Sequence, residues 1–343
     1  MAKIKRRNNE NKFNKVKKVH LKKLKMIQAL STGRKTDEIV LAFVQSQSKF
    51  TPMYTWHSDG PEFKSVDLNK PIVCFGVLRG TGDIMKKAKS DVYYFDHAYK
   101  FGNRHENSKE IIGERIYRLT KNWQHIVTIK KLTNKDKNRI EKYQPFINIK
   151  PWKYLGKDIV FCDMGPAACD YYTTKHYDLK YWFNQTIGRV KHLCGAPSKR
   201  WNYVGRGKPA LDREYRVESQ KPKPLNFENA YAIVTFQSTV GITAILEGVP
   251  HFCDITSMCA PVSRTGRGES SVNEIKNPLY SDNRVAWIES LLANQFTMSE
   301  IHNGIAWKHV KDIEGENIAD FHNNYQVPSG LGIYMDHFRK NKA

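Results

Sequence analysis

Two stretches of this chain pass from strand to helix through a turn of glycines and hydroxylated residues, and that passage limits the folds open to it. In PIVCFGVLRGTGDIMKKAKSDVYYFDHAY, an apolar run (Ile72–Leu78) meets Arg79-Gly80-Thr81-Gly82. A helix-compatible segment (Asp83–Lys89) and a second apolar run (Val92–Phe95) follow. In the second stretch AYAIVTF leads through Gln237-Ser238-Thr239-Val240-Gly241 into GITAILEG and then VPHFCD. Short apolar runs separated by helical segments read as βαβ units, whose parallel strands need cover on both faces.

The alternation continues through the chain. DIVFCDMG reads as a strand ending in a glycine turn. YDLKYWFNQTIGRVKHLC reads as a helix, with Leu179, Trp182, Phe183, Ile187 and Val190 near i, i+3, i+4 spacing. WNYVGRGKPAL gives a short strand and a basic turn, and RVAWIESLLANQ and SEIHNGIAWKHV close as helices. EIVLAFV suits a strand or a buried helical turn, and the polar text from Ser263 to Asn277 reads as a loop. At about 150 residues per domain, 343 residues predict two domains, joined near INIKPWKYLGKD. The expected fold is α/β, with two doubly wound sheets.

Open parallel sheets bind ligands beyond the carboxyl ends of their strands. Amides at the start of the next helix there face an anion. Ser238, Thr239 and Gly241 lie at such a junction, with hydroxyls able to donate and a glycine allowing close backbone approach. The plain alternative is an ordinary helix N-cap. Gly205-Arg206-Gly207-Lys208-Pro209 offers a guanidinium fork and an ammonium to a pyrophosphate. Arg79, Gly80, Thr81 and Gly82 repeat the strand–glycine–helix pattern. They lack the G-x4-GK[ST] and complete G-x-G-x-x-G patterns, so ATP hydrolysis and nicotinamide binding rank low. Val92-Tyr-Tyr-Phe-Asp96-His97 ends a strand with a carboxylate and an imidazole, and either is a candidate proton acceptor. Asp163, after DIVFC, is a weaker one.

The run from Ser238 to Pro250 resembles the donor-site signature of GT-B glycosyltransferases of the capsule-polysaccharide type, an S-[ST]-x-G turn followed by E-A-L-x-x-G-x-P. Trp182, Thr186 and the RGKP run resemble that type's second domain. The likeness departs at Thr243, where the family often has Glu; here Glu247 follows four residues later. The resemblance implies two Rossmann-like domains facing a cleft. The expected layout is a basic arm (1–30), an acceptor-side domain (31–150), a nucleotide-sugar-binding domain (151–305) and C-terminal helices (306–343) packing back on the first domain. It also implies a UDP- or CMP-sugar as co-substrate and no tightly bound cofactor or metal. The donor-binding set is then Arg79, Gly80, Thr81, Gly82, Arg206, Lys208, Ser238, Thr239, Gly241 and Glu247, with Asp96 or His97 catalytic.

Charge bears on the acceptor. Lys and Arg number 56 against 34 Asp and Glu, a net +22 that points to a polyanionic partner. Residues 1–25 carry eleven Lys/Arg, among them Lys5, Arg6, Arg7, Lys17 and Lys18, against Glu10 alone. YKFGNRH (Tyr99, Arg104) and RIYRLTKNWQH (Arg118, Lys121, Trp123) mix cations with rings, a composition that pairs phosphates and stacks on exposed bases. Bacteriophage enzymes of this general fold glycosylate hydroxymethylated pyrimidines. The fold analogy therefore implies double-stranded DNA as acceptor, with the target base extruded. The alternatives are a transferase of capsule or cell-wall polysaccharide and a non-catalytic nucleic-acid-binding protein. Mean hydropathy of -0.61 and the lack of any apolar run of about 18 residues argue against a membrane span. With no secretory leader, a cytoplasmic location is expected. The six cysteines form no C-x2-C pair and have no close His pair beside them, so they read as free thiols rather than zinc ligands.

Overall fold

The computed structural model describes residues 27–31, 37–47, 53–55, 66–78, 80–101, 112–165, 169, 171–173, 179–198, 200–206 and 225–312. Lys5, Arg6, Arg7, Lys17, Lys18, Arg79, Arg104 and Lys208 lie outside the described residues, as does the chain beyond residue 312.

The first half builds β1 (Gln28–Ser31), α1 (Asp37–Gln45), β2 (Met53–Thr55), β3 (Ile72–Phe75), α2 (Thr81–Lys87), β4 (Val92–His97), β5 (Ile116–Lys121) and α3 (Asn134–Ile140). The second half builds β6 (Asp158–Cys162), α4 (Trp182–Cys194), β7 (Asn202–Arg206), β8 (Ala230–Thr235), α5 (Val240–Leu246), β9 (His251–Asp254) and β10 (Arg264–Gly266). The described chain closes with α6 (Arg284–Ala293), β11 (Gln295–Thr297), α7 (Met298–His302) and α8 (Ile305–Asp312).

Two sheets result. The second is wholly parallel, in the order β10-β9-β8-β6-β7. Counted along the chain this is 2-1-3-4-5, and the order reverses between β6 and β8, where such sheets open a ligand crevice. The first sheet runs β11-β5-β4-β3-β1-β2. Its β1, β2, β3 and β4 are parallel, whereas β5 is antiparallel to both β4 and β11.

β3 and β4 are apolar without alternation, and the buried run Val92, Tyr93, Tyr94, Phe95 shows why: both faces of β4 are covered. Tyr93 meets Phe43 of α1 and Trp307 of α8 at ring-centroid distances of 5.7 and 5.5 Å. Cys74 and Tyr94, by contrast, share one apolar core with Phe161, Trp182 and Phe236 of the second half. Trp182 and Phe236 pack edge-on at 5.8 Å, the arrangement their ring quadrupoles favour.

Four local expectations need correction. EIVLAFV is helical, part of α1, with Ile39, Val40, Phe43 and Val44 buried. β3 stops at Phe75, three residues short of Leu78, because Gly76 (φ 68°) turns the chain while its amide holds the carbonyl of Phe95. The stretch from Ser263 to Asn277 contains β10 and a 3-10 turn, Gly268–Val272. Finally, Gln295–Thr297 pairs with β5 rather than linking two helices directly. Cys74, Cys162, Cys253 and Cys259 are buried. Among the described residues no helix is long and apolar enough to cross a membrane.

Candidate active site

A cavity of about 500 Å³ lies where the two sheets point toward each other. The first sheet contributes Val77 after β3, Tyr94, Asp96 and His97 of β4, and Arg118 of β5. The second contributes Asp163, Met164 and Gly165 after β6, and Gln237, Ser238 and Thr239 after β8. These last two loops follow the strands on either side of the order reversal. Of the sequence-derived candidates, the structure thus brings Asp96, His97, Asp163, Arg118, Ser238 and Thr239 to one cavity.

The charged centre belongs to β4 and β5. Asp96 and Arg118 are cross-strand partners, and the guanidinium donates to Asp96 Oδ2 at 2.7 Å. Tyr94, two residues earlier on the same strand face, donates its hydroxyl to the same oxygen at 2.6 Å. The amide of His97 donates to Oδ1 at 2.8 Å. A carboxylate has about four lone-pair sites, so Oδ1 keeps one open. Arg118 is almost wholly buried and also lies 4.9 Å over the Tyr99 ring. Burial opposes its charge, but Asp96 outweighs that and holds the guanidinium ionised. Burial, and then Asp96, push the Tyr94 hydroxyl far above its ordinary value. His97 is exposed at the strand end and packs edge-on against Phe75 at 5.5 Å.

Across the cavity the chain leaves β8 through Phe236 and Gln237 and enters α5. Ser238 Oγ accepts from the amide of Val240 at 3.3 Å. The amides of Gly241 and Ile242 return to the carbonyls of Ser238 and Thr239. The turn therefore consumes amides that the sequence suggested would face an anion. What it presents to the cavity is hydroxyl chemistry: Ser238 keeps its proton to donate, and Thr239 makes no side-chain cap bond.

Other assignments change with the structure. Gly241 faces the core: a Cβ there would lie 2.5 Å from the His251 ring, so the glycine lets α5 pack on β9. Glu247 follows the last residue of α5 and bonds Lys150 at 2.6 Å, away from the cavity. Seven helical residues of rise, about 10 Å, separate it from Ser238. Thr81 is fully buried and donates to the carbonyls of Gly76 and Leu78, closing the β3–α2 turn. Gly82 has no room for a Cβ beside Tyr171 and Val77, and Gly80 (φ 79°) makes the left-handed step before α2. These three shape a turn rather than line the cavity. Arg206 ends β7, one strand beyond Cys162, and is outside the cavity lining.

The four described residues of the expected DNA-facing set also turn inward. Tyr99 is 3% exposed and accepts from the amide of Ile126, so its ring cannot stack on a base. Arg118 is committed to Asp96, and Lys121 pairs with Asp91 at 3.3 Å. Trp123 packs against Tyr172.

Sequence reasoning missed Tyr94, Gln124, His125, Tyr172 and Gln237, all of which line the cavity. Tyr172 donates its hydroxyl to Gln124 Oε1. Burial and the nearby Arg118 charge hold His125 well below its ordinary value, that is, neutral. Gln237 directly precedes the Ser–Thr pair and was the one signal available; the others meet only through the fold.

No protein-family model and no characterised protein matches the sequence. Among solved structures, KpsC of Thermosulfurimonas dismutans, described as a beta Kdo 2,7 transferase, is similar at 12% identity with a TM-score of 0.44, over 82% of this chain and 99% of that one.

Proposed function

We propose that this chain is a glycosyltransferase taking a sugar from a nucleotide-sugar to a hydroxyl of a saccharide acceptor. The observation that carries the reading is the cavity itself. A carboxylate with one open lone pair stands on one sheet, and two hydroxyl side chains stand opposite, at the order reversal of a parallel sheet. In this reading Ser238 and Thr239 donate to the phosphate oxygens of the donor. Asp96 Oδ1 accepts the acceptor's proton as its oxygen bonds the anomeric carbon and the bond from that carbon to the phosphate oxygen breaks. The leaving phosphate carries away the electron pair. Arg118 and Tyr94 fix the carboxylate in place. The likeness of Ser238–Pro250 to the capsule-polysaccharide type favours a glycan acceptor, as does the inward packing of Tyr99 and Arg118.

One observation favours a second reading, with hydroxymethylated DNA as acceptor: the net charge of +22, eleven of whose cations fall in residues 1–25. Mass measurement after incubation with a panel of nucleotide-sugars, against saccharide oligomers and hydroxymethylated duplexes, separates the two. Sugar addition to the oligomers supports the first reading, addition to the duplex alone the second, and addition to neither contradicts both. In the active combination, Asp96→Asn should lower kcat about 10²–10⁴-fold, the usual worth of a positioned base. Should His97→Gln do this and Asp96→Asn not, the base is His97.

A further inference from the structure

Four side chains of the cavity wall are buried yet incompletely bonded. Gln124, His125, Gln237 and Arg118 are 4, 7, 9 and 6% exposed. Gln124 Nε2, His125 Nδ1, Gln237 Oε1 and Arg118 Nε each lack a hydrogen-bond partner of good geometry, the Gln237 side chain lying beside His125. Native interiors rarely leave such atoms unpaired, so four in one cavity wall mark where a ligand bonds. Their orientation is fixed from behind. Thr256 gives its proton to Asp254 at 2.5 Å and can only accept from Gln237, which must turn its Nε2 inward and leave its Oε1 over. Gln124 likewise spends its Oε1 on Tyr172 and leaves its Nε2 over.

We infer that Gln124, His125 and Gln237 form the recess that holds the hydroxyls of the transferred sugar and so set which sugar is accepted. The inference rests on the proposed glycosyl transfer. The recess offers donors and an acceptor in one wall, and the charge of its one lining guanidinium, Arg118, is already offset by Asp96. A phosphate needs donors only, whereas a hydroxyl both donates and accepts and satisfies the pair together. The recess also shares a wall with Asp96, where the sugar carbon under attack must lie; the nucleobase sits beyond the phosphates.

The test is titration calorimetry of a nucleotide-sugar and its parent nucleotide against the wild type, Gln237→Leu and Gln124→Leu, with thermal unfolding as the folding check. The expected result is at least a tenfold loss for the nucleotide-sugar and less than a twofold change for the nucleotide. Equal losses for both place the nucleotide in the recess and overturn the inference, as does no loss. If the leucine variants do not fold, Gln124→Asn withdraws the amide by one methylene and gives the same comparison. A second arm uses saturation-transfer NMR with free monosaccharides. If no nucleotide-sugar binds the wild type but monosaccharide signals depend on Gln237, the transferase reading falls, the claim of a transferred sugar falls with it, and only sugar recognition by the recess stands. If neither class of ligand binds, both fall.

Discussion

At position 241 an added Cβ would lie 2.5 Å from two atoms of the His251 ring and 3.0 Å from Cys259 Sγ, all in the core. Gly241→Ala should therefore destabilise the fold by about 1–3 kcal/mol, the usual cost of overpacking, as measured by urea denaturation. A loss of donor binding without a loss of stability would instead restore the ligand-facing role the motif suggested. His251 carries a second residue-scale consequence. Burial holds it neutral, with its pKa lowered to about 3, between the hydroxyls of Thr235 and Ser263. In the unfolded chain it titrates near its ordinary value of about 6.5. Between those values the unfolded state binds the extra proton, so stability falls as pH falls. The expected loss from this residue is about 2 kcal/mol between pH 7 and pH 5. His251→Gln should flatten the slope of stability against pH by about one proton; an unchanged slope would show that His251 charges without cost in the fold. At this scale the sequence exposed Ser238, Thr239 and Asp96, because each sits in a local strand-end pattern. Gln124 and His125 stayed hidden because an unpaired buried atom is a property of loops that meet in space.

Among the elements, βαβ units were legible from unbroken apolar runs, and their boundaries less so. Gly76 ends β3 early through its backbone amide and Thr81 starts α2 early through its hydroxyl, both by bonds to backbone carbonyls that the apolar pattern does not register. β11 escaped notice for a similar reason. Its three residues gain strand geometry only by pairing with β5, 177 to 181 positions away in sequence for the paired residues Phe296–Tyr117 and neighbours, a long-range contact no local propensity reports. The turn after it is locally specified: Thr297 caps α7 by accepting from the amide of Glu300, whose carboxylate returns to the amide of Thr297. Glu300 also bonds Lys142 at 2.8 Å beyond α3, tying the chain's return to the first half. Thr297→Ala should cost about 1 kcal/mol in chemical denaturation. No measurable change would mean that β11 pairing alone positions α7.

For the molecule as a whole, the return of β11, α7 and α8 places Phe296, Ile301, Ala306 and Val310 in one core with Phe43, Val73 and Tyr93. The two halves share further apolar clusters on either side of the cavity, so the cavity walls are set by packing that spans the sequence. Net charge, the loudest signal in composition, says least about this interior. Much of it sits in residues 1–25, and the described cations nearest the cavity are paired inward. The central claim is that the cavity between Asp96 and the Ser238–Thr239 turn receives a nucleotide-sugar. A crystal structure with a bound donor tests it most directly. The account predicts phosphates within hydrogen-bond distance of the Ser238 and Thr239 hydroxyls and the anomeric carbon facing Asp96. A donor bound elsewhere on the molecule, with this cavity filled by water alone, would contradict it.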